Sequence, residues 1–305
     1  MDLTRRNFLR FLGLSSGAGM LGRPRKSHAV RIPAGSDDRL GVLSDLSKCV
    51  GCRVCEEACN EANKLPEPKI PFDEESIFEE IRRPTVDAYT VVNRFPNPNP
   101  EGDPVYVKRQ CMHCNEPACA SACLVNAFTK TPEGSVIYNE KVCIGCRYCI
   151  MACPFYIPAY SYSSAFRPAV LKCTMCYERI SKEGGVPACV ESCPEEAVIF
   201  GKRRDLIHIA MERIRNDSEY IDHIYGEREV GGTSWMYISK VPFEKLGFPT
   251  NLETTPPIAH AKGFLWAVPL VLVTWPALLM GCHEFSKSRD KHAGEAAVDL
   301  QEKES

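Results

Sequence analysis

Sixteen of the seventeen cysteines in this 305-residue chain fall into four tight groups, and that grouping limits the fold more than any other feature. The first group is Cys49, Cys52, Cys55 and Cys59, a C-x2-C-x2-C-x3-C run. The second, Cys111, Cys114, Cys119 and Cys123, is C-x2-C-x4-C-x3-C. Cys143, Cys146, Cys149 and Cys153 repeat the first spacing and are followed at once by Pro154. The fourth group is Cys173, Cys176, Cys189 and Cys193, C-x2-C-x12-C-x3-C, followed by Pro194. Long cysteine-free stretches separate the groups, so this is an internal repeat of local sites rather than a distributed disulfide scaffold.

The spacing has a physical reading. Three thiolates at i, i+3 and i+6 on a looping backbone can wrap one face of an iron–sulfur cube and ligate three irons. A fourth cysteine three residues further lies on the helix leaving the loop and points away, so it ligates a different cluster. The C-x2-C-x2-C-x3-C-P run is the bacterial ferredoxin signature with that crossed fourth ligand. Zinc is the main rival; the fourth group has the two knuckles of a zinc tetrahedron, but the first and third crowd three ligands into seven residues. Cysteines this close together make poor disulfide cross-links. Covalent c-type haem needs C-x-x-C-H, and no such string occurs; His113 lies inside its motif, between Cys111 and Cys114. The spacing therefore predicts four [4Fe–4S] clusters on sixteen ligands.

The ends of the chain carry different signals. Residues 1–29 read as an export signal, with a twin-arginine motif at Thr4-Arg5-Arg6-Asn7-Phe8-Leu9-Arg10 and a weakly apolar stretch from Phe11 to Gly22. Small residues for cleavage follow at Ser27-His28-Ala29. Arg23, Arg25 and Lys26 before that cut disfavour transport of an unfolded chain. Gly263 to Cys282 is a run of 20 residues without a charge, which as a helix spans about 30 Å, one hydrocarbon core. Pro269 and Pro276 would be expensive in a buried soluble helix and are better tolerated in a membrane. Lys287, Arg289 and Lys291 beyond the run, against Lys262 before it, place the tail 283–305 in the cytoplasm and the body 30–255 in the periplasm. Cys282 stands apart from the groups.

Between these ends the pattern predicts an α+β body of two ferredoxin-like units, each with two clusters, made of short strands and helices. Strands are expected at Gly41–Asp45, Pro104–Arg109 and Ala197–Phe200, with a hairpin of 129–131 and 135–138 around Pro132-Glu133-Gly134. Leu206, Ala210 and Ile214 recur at helical spacing in Arg203–Arg215. The insertion 60–104, with Asn97-Pro98-Asn99-Pro100, reads as a solvated excursion or a partner-binding loop. Basic residues flank the cysteines at Lys48, Arg53, Lys108, Arg109, Lys141, Arg147 and Lys172; they could raise cluster potentials or guide a redox partner, but most are expected to be solvated. A net charge of −2 carries no footprint of nucleic-acid binding, and no acid–base pair, nucleotide loop or activated nucleophile marks an enzyme acting alone.

The order of quartets resembles the four-cluster iron–sulfur subunits of membrane-bound oxidoreductases, including formate dehydrogenase, dimethylsulfoxide reductase and polysulfide reductase. The fourth group with its tail, KCTMCYERISKEGGVPACVESCPEEAVIFG, is highly characteristic of them. The signal, the segment YGEREVGGTSWMYISKVPFEKLGFP and the single C-terminal span are most similar to the HybA-type subunits of hydrogenase-2-type nickel–iron hydrogenases. Leu124 departs from the proline many relatives carry after Cys123. The resemblance implies that groups one and four pair, as do two and three. Cys49, Cys52, Cys55 and Cys193 would hold one cluster; Cys59, Cys173, Cys176 and Cys189 the second; Cys111, Cys114, Cys119 and Cys153 the third; Cys123, Cys143, Cys146 and Cys149 the fourth. It implies a non-catalytic relay between hydrogenase-type catalytic subunits and a polytopic quinone-reactive membrane subunit. Formate dehydrogenase, a molybdenum reductase or a multihaem cytochrome is the alternative catalytic partner, and a zinc-stabilised structural or assembly protein is the alternative of a different class.

Overall fold

The centre of the fold is a three-stranded sheet whose middle strand comes first in the chain. The computed structural model describes residues 38–163 and 168–304, so the export-signal motif lies outside the described residues. Strand β1 (Leu40–Asp45) lies between β8 (Val198–Lys202), antiparallel, and β9 (Trp235–Ile238), parallel. Alternation assigns each face. Val42 of β1 joins Trp235 and Tyr237 of β9 in the large core, while Leu43 joins Met236 and Ile238 on the opposite face. Helix α6 (Arg203–Asn216) covers that opposite face with Leu206 and Ala210, as its periodicity predicts; full burial of a leucine side chain contributes about 1.5–3 kcal/mol. Asp45 points the same way and is held by Arg213 Nη1 at 2.9 Å and by the Tyr220 hydroxyl. Position 41 must be glycine because a Cβ there would meet the Ser234 carbonyl oxygen at 2.5 Å.

The other face of the sheet receives the cysteine loops. Their helices are α1 (Val54–Asn63), α2 (Ala118–Ser121), α3 (Tyr148–Ala152), α4 (Tyr177–Glu183) and α5 (Ala188–Glu191). Helix α1 packs against α5 and α2 against α3, which sets the first and fourth groups together and the second and third together. Three antiparallel pairs frame them: β2 (Val91–Phe95) with β3 (Val105–Arg109), β4 (Phe128–Lys130) with β5 (Val136–Tyr138), and β6 (Ala159–Ser161) with β7 (Ala169–Leu171). The hairpin around Pro132-Glu133-Gly134 is as expected.

The insertion 60–104 is solvated only in part. Its strand β2 buries Val91, Val92 and Phe95 against β3, and Arg53 reaches from the first cysteine loop to the carbonyls of Pro71 and Phe72 at 2.8 and 3.1 Å. Those ties hold 71–74, 82 and 90–95 to the body, while Pro98, Asn99, Pro100 and Glu101 are exposed.

Helix α7 (Pro257–Glu304) leaves the body and continues through Pro269 and Pro276. Within it, Ala267–Arg289 is long and apolar enough to cross a membrane, and Leu270, Leu272, Val273, Trp275 and Met280 are exposed. The helix extends beyond both ends of the 263–282 run.

Candidate metal centres

The loops reverse direction at one recurring backbone position. The residue before the second cysteine of every group has a positive φ: Gly51 at 73°, His113 at 49°, Gly145 at 72° and Met175 at 57°. Arg53 and Arg147, just after that cysteine in groups one and three, do so again at 61°. Three residues after the fourth cysteine, Asn126, Tyr156 and Glu196 repeat the turn at 51°, 54° and 46°. Such left-handed turns aim successive backbone N–H groups into one concavity, the anion-binding nest found at many iron–sulfur sites. Several N–H groups here face sulfur: Ala127 N to Cys123 Sγ at 3.2 Å, Met175 N to Cys173 Sγ at 3.3 Å and Gly145 N to Cys143 Sγ at 3.4 Å. Gly51 has steric reason to be glycine as well, since a Cβ would fall 2.3 Å from the Tyr106 ring.

The thiols meet across groups. One cavity is lined by Cys49, Cys52 and Cys55 together with Cys193, which arrives from the end of α5. The Cys59 thiol, on α1, has Cys173, Cys189 and Cys176 as its charged neighbours. Cys153 neighbours Cys114, with Cys111 and Cys119. Cys123 neighbours Cys149, with Cys143 and Cys146. Electrostatic influence also passes between sets: Cys55 feels Cys189, Cys173 feels Cys111, and Cys119 feels Cys149. That order gives a row whose first and last sets each contain an exposed cysteine, Cys52 and Cys146. Cys282 is exposed on α7 and joins none of them.

Burial dominates the electrostatics. It pushes the Cys49 thiol up to about 11, Cys149 to about 11, Cys173 to about 12 and Cys119 to about 12, with neighbouring thiolates adding to the effect. Such groups lose their protons only when a cation takes the proton's place, which is what iron does. Among the described residues, no three His, Cys, Asp or Glu side chains converge tightly enough to share one metal ion. A cube of four irons holds its thiolates further apart than a zinc tetrahedron, whose Zn–S bonds are about 2.3 Å. Soft thiolate donors, N–H nests and cross-group quartets fit a cluster.

Several charges run against the expectation of solvated side chains. Arg53, Lys108 and Lys172 are buried. Arg53 sits beside Glu56, whose carboxylate also accepts from Arg82 Nη2 and from the Val92 N–H, both at 2.6 Å. Lys172 donates to the carbonyls of Val136 and Cys173. The Lys108 ammonium donates to Thr90 Oγ1 at 2.6 Å and Gln110 Oε1 at 3.1 Å and lies 4.7 Å from the centre of the Trp235 ring. Burial alone would push its pKa down, but the thiolates of Cys189, Cys55, Cys173 and Cys59 more than offset that and raise it. Lys130, which no sequence signal singled out, donates to His113 O, Gly134 O and Ser234 Oγ, and burial brings its pKa down to about 7. In hindsight, a lysine inside an apolar strand such as PVYVKR is the signal that could have been read for Lys108.

Comparison with known proteins also points to iron–sulfur proteins. Residues 103–203, which include groups two, three and four, match the 4Fe-4S dicluster domain. A protein of Nitratidesulfovibrio vulgaris Hildenborough is 50% identical over 301 residues, covering 97% of this chain and 80% of that one. Hydrogenase-2 operon protein HybA of Escherichia coli O157:H7 is 36% identical over 281 residues, 81% of this chain and 84% of HybA. The iron–sulfur subunit of nitrate-inducible formate dehydrogenase of Escherichia coli K12 is 34% identical over 206 residues, 64% and 66% of the two chains.

Proposed function

The chain belongs to the 4Fe-4S dicluster proteins related to HybA and to the formate dehydrogenase and dimethylsulfoxide reductase iron–sulfur subunits, and from that we propose a four-cluster electron relay held at the periplasmic face of a membrane. Its coarse role follows from the family: an iron–sulfur electron-transfer subunit of respiratory oxidoreductases such as hydrogenase-2 or formate dehydrogenase. The finer reading assigns Cys49, Cys52, Cys55 and Cys193 to the first cluster and Cys59, Cys173, Cys176 and Cys189 to the second. Cys111, Cys114, Cys119 and Cys153 take the third, and Cys123, Cys143, Cys146 and Cys149 the fourth. The observation that carries it is the cavity that combines three cysteines of the first group with Cys193.

When bound, each cluster supplies a site for one electron. The chain's own residues supply the rest. Thiolates crossing between groups fix neighbouring sites at short range, and N–H groups of the left-handed turns offset cluster charge. Exposed Cys52 and Cys146 bring the two ends of the row to the surface, where a partner can approach. On this reading one partner is a hydrogenase-type catalytic subunit, the other a polytopic quinone-reactive membrane subunit. HybA is 36% identical over 84% of its length, against 31% over 80% for the formate dehydrogenase-O iron–sulfur subunit, and this higher identity is what favours hydrogenase.

Redox-titrated electron paramagnetic resonance tests the ligand sets, using the wild type, Cys52→Ser, Cys193→Ser and Cys59→Ser. Cys52→Ser and Cys193→Ser should perturb one common signal and Cys59→Ser another, with about 16 irons per wild-type chain. If Cys59→Ser and Cys52→Ser alter one common signal instead, each group closes on its own cluster and the assignment fails. Subunits that co-purify from detergent extracts identify the catalytic partner.

A further inference from the structure

Lys108 is a buried cation whose hydrogen-bond partners are all neutral. Its side chain reaches Thr90 Oγ1 and Gln110 Oε1, and its ammonium lies against the Trp235 ring. Among the described residues, no carboxylate forms an ion pair with it. An isolated ammonium in such a place costs several kcal/mol unless an anion compensates it. The anions within its reach belong to two sets of cysteines. Lys108 lines the cavity of Cys49, Cys52, Cys55 and Cys193. Its other charged neighbours are Cys59, Cys173 and Cys189.

We propose that the Lys108 ammonium is a fixed positive charge shared by the first and second cluster sites, where it raises the reduction potential of both. The inference rests on the four-cluster reading above. Reduction adds one electron to a cluster and makes or breaks no bond to the protein, so the added negative charge is stabilised by any cation held nearby at low dielectric. Strand β3 fixes the lysine backbone, while β2 supplies Thr90 beside its own first residue and the sheet supplies Trp235. The cation therefore cannot swing into solvent to be screened. Lys172 is a comparable buried cation near the third set, with Cys119 and Cys153 among its charged neighbours. A packing role alone would require only a side chain of this length and volume beside Trp235, and methionine would supply it.

The test is a potentiometric titration of the intact protein by electron paramagnetic resonance, with iron content measured on each sample. Lys108→Met should move two midpoints to more negative values and leave the other two in place; Lys108→Arg should restore them. Thr90→Asp, which sets a carboxylate against the ammonium, should move the same two in the same direction. Lys240→Met, removing a surface lysine paired with Asp217 and Glu219, should move none. The proposal is overturned if Lys108→Met leaves all midpoints unchanged, or shifts all four alike. It is also overturned if Lys108→Met loses iron while Thr90→Asp leaves the midpoints in place. A wild type with fewer than four signals would instead count against the four-cluster reading.

Discussion

Replacing Glu56 with glutamine removes one buried charge from the clamp that holds the insertion against the first cysteine loop. The carboxylate is 5% exposed and accepts from Arg82 Nη2 and Nη1 at 2.6 and 3.1 Å, the Val92 N–H at 2.6 Å and Arg53 Nη2 at 3.4 Å. Breaking a buried ion pair from one side costs about 3–5 kcal/mol, because the remaining charge has no partner. Two features put this site at the lower end. Arg82 is 21% exposed, so water can reach it, and Arg53 already spreads its charge over the carbonyls of Pro71, Phe72 and Glu74. A cost of about 3 kcal/mol at roughly 2–4 °C per kcal/mol lowers the transition by roughly 6–12 °C for a body of this size. The assay is an anaerobic thermal ramp followed by loss of visible iron–sulfur absorbance. Because such unfolding is irreversible, every variant is run at one scan rate. Limited proteolysis should open first between residues 64 and 90. Glu56→Gln combined with Arg82→Met should cost less than the sum of the two, since removing both charges leaves fewer unpaired. A Glu56→Gln protein that melts with the wild type and keeps the insertion protected would refute the reasoning.

Three further outcomes are expected. Arg5→Lys with Arg6→Lys should trap a cluster-loaded precursor in the cytoplasm, which fractionation with an iron assay would show; normal periplasmic accumulation would remove the twin-arginine reading. A chain stopped after His260, expressed without partners, should keep its visible chromophore and leave the membrane fraction, because every grouped cysteine precedes the apolar helix; sedimentation with membranes would assign the anchor elsewhere. His223 hydrogen-bonds Glu229 at 2.7 Å, which raises its pKa above 6.5, so its contribution to stability is complete below 6.5 and is lost as pH rises through the folded value. Burial pushes the Glu229 pKa up, but the His223 and backbone hydrogen bonds bring it below 4.5, so its contribution is present above 4.5 and is lost as pH falls through the folded value. Wild type should therefore exceed His223→Gln in melting temperature near pH 6 by more than near pH 8, and parallel curves would count against the pair.

The local elements were legible because local chemistry determines them. Strands β1, β3 and β8 show as short apolar runs, and the β4–β5 hairpin shows through Pro132-Glu133-Gly134. Helix α6 shows through one stripe of apolar residues, and the cysteine loops show through spacing alone. Strand β2 escaped notice because five residues of strand lie among prolines and charges, and its apolar side chains gain meaning only beside β3. Strand β9 was hidden for a related reason: its parallel pairing with β1 joins residues nearly 200 positions apart. Buried Arg53, Lys108 and Lys172 were least legible of all. A basic residue in sequence looks solvated unless its partners are known, and those partners are carbonyls, hydroxyls and thiolates brought in from other segments.

The same long-range pairing constrains how the molecule can assemble. Strand β1 is made first, yet both of its edges wait for strands that end at Lys202 and Ile238. Helix α1 likewise waits for α5, and under the proposed ligation the first site waits for Cys193. The closure entropy of such long loops rises only as the logarithm of length, about 0.6 kcal/mol per doubling, so the delay adds little to the thermodynamic cost. Its consequence is in cooperativity. No group can be cut away as a separate module, because removing the chain after Cys193 also strips β9 and its Trp235 from the face on which the other cysteines pack. Clusters inserted into such a body tie its ends together as cross-links do, so the loaded body cannot be unthreaded without losing them. Under the proposed export route, a body that takes up its clusters before transport would have to cross the membrane already folded, and the late closure of β1 by β8 and β9 means that no part of the sheet could be loaded ahead of the rest.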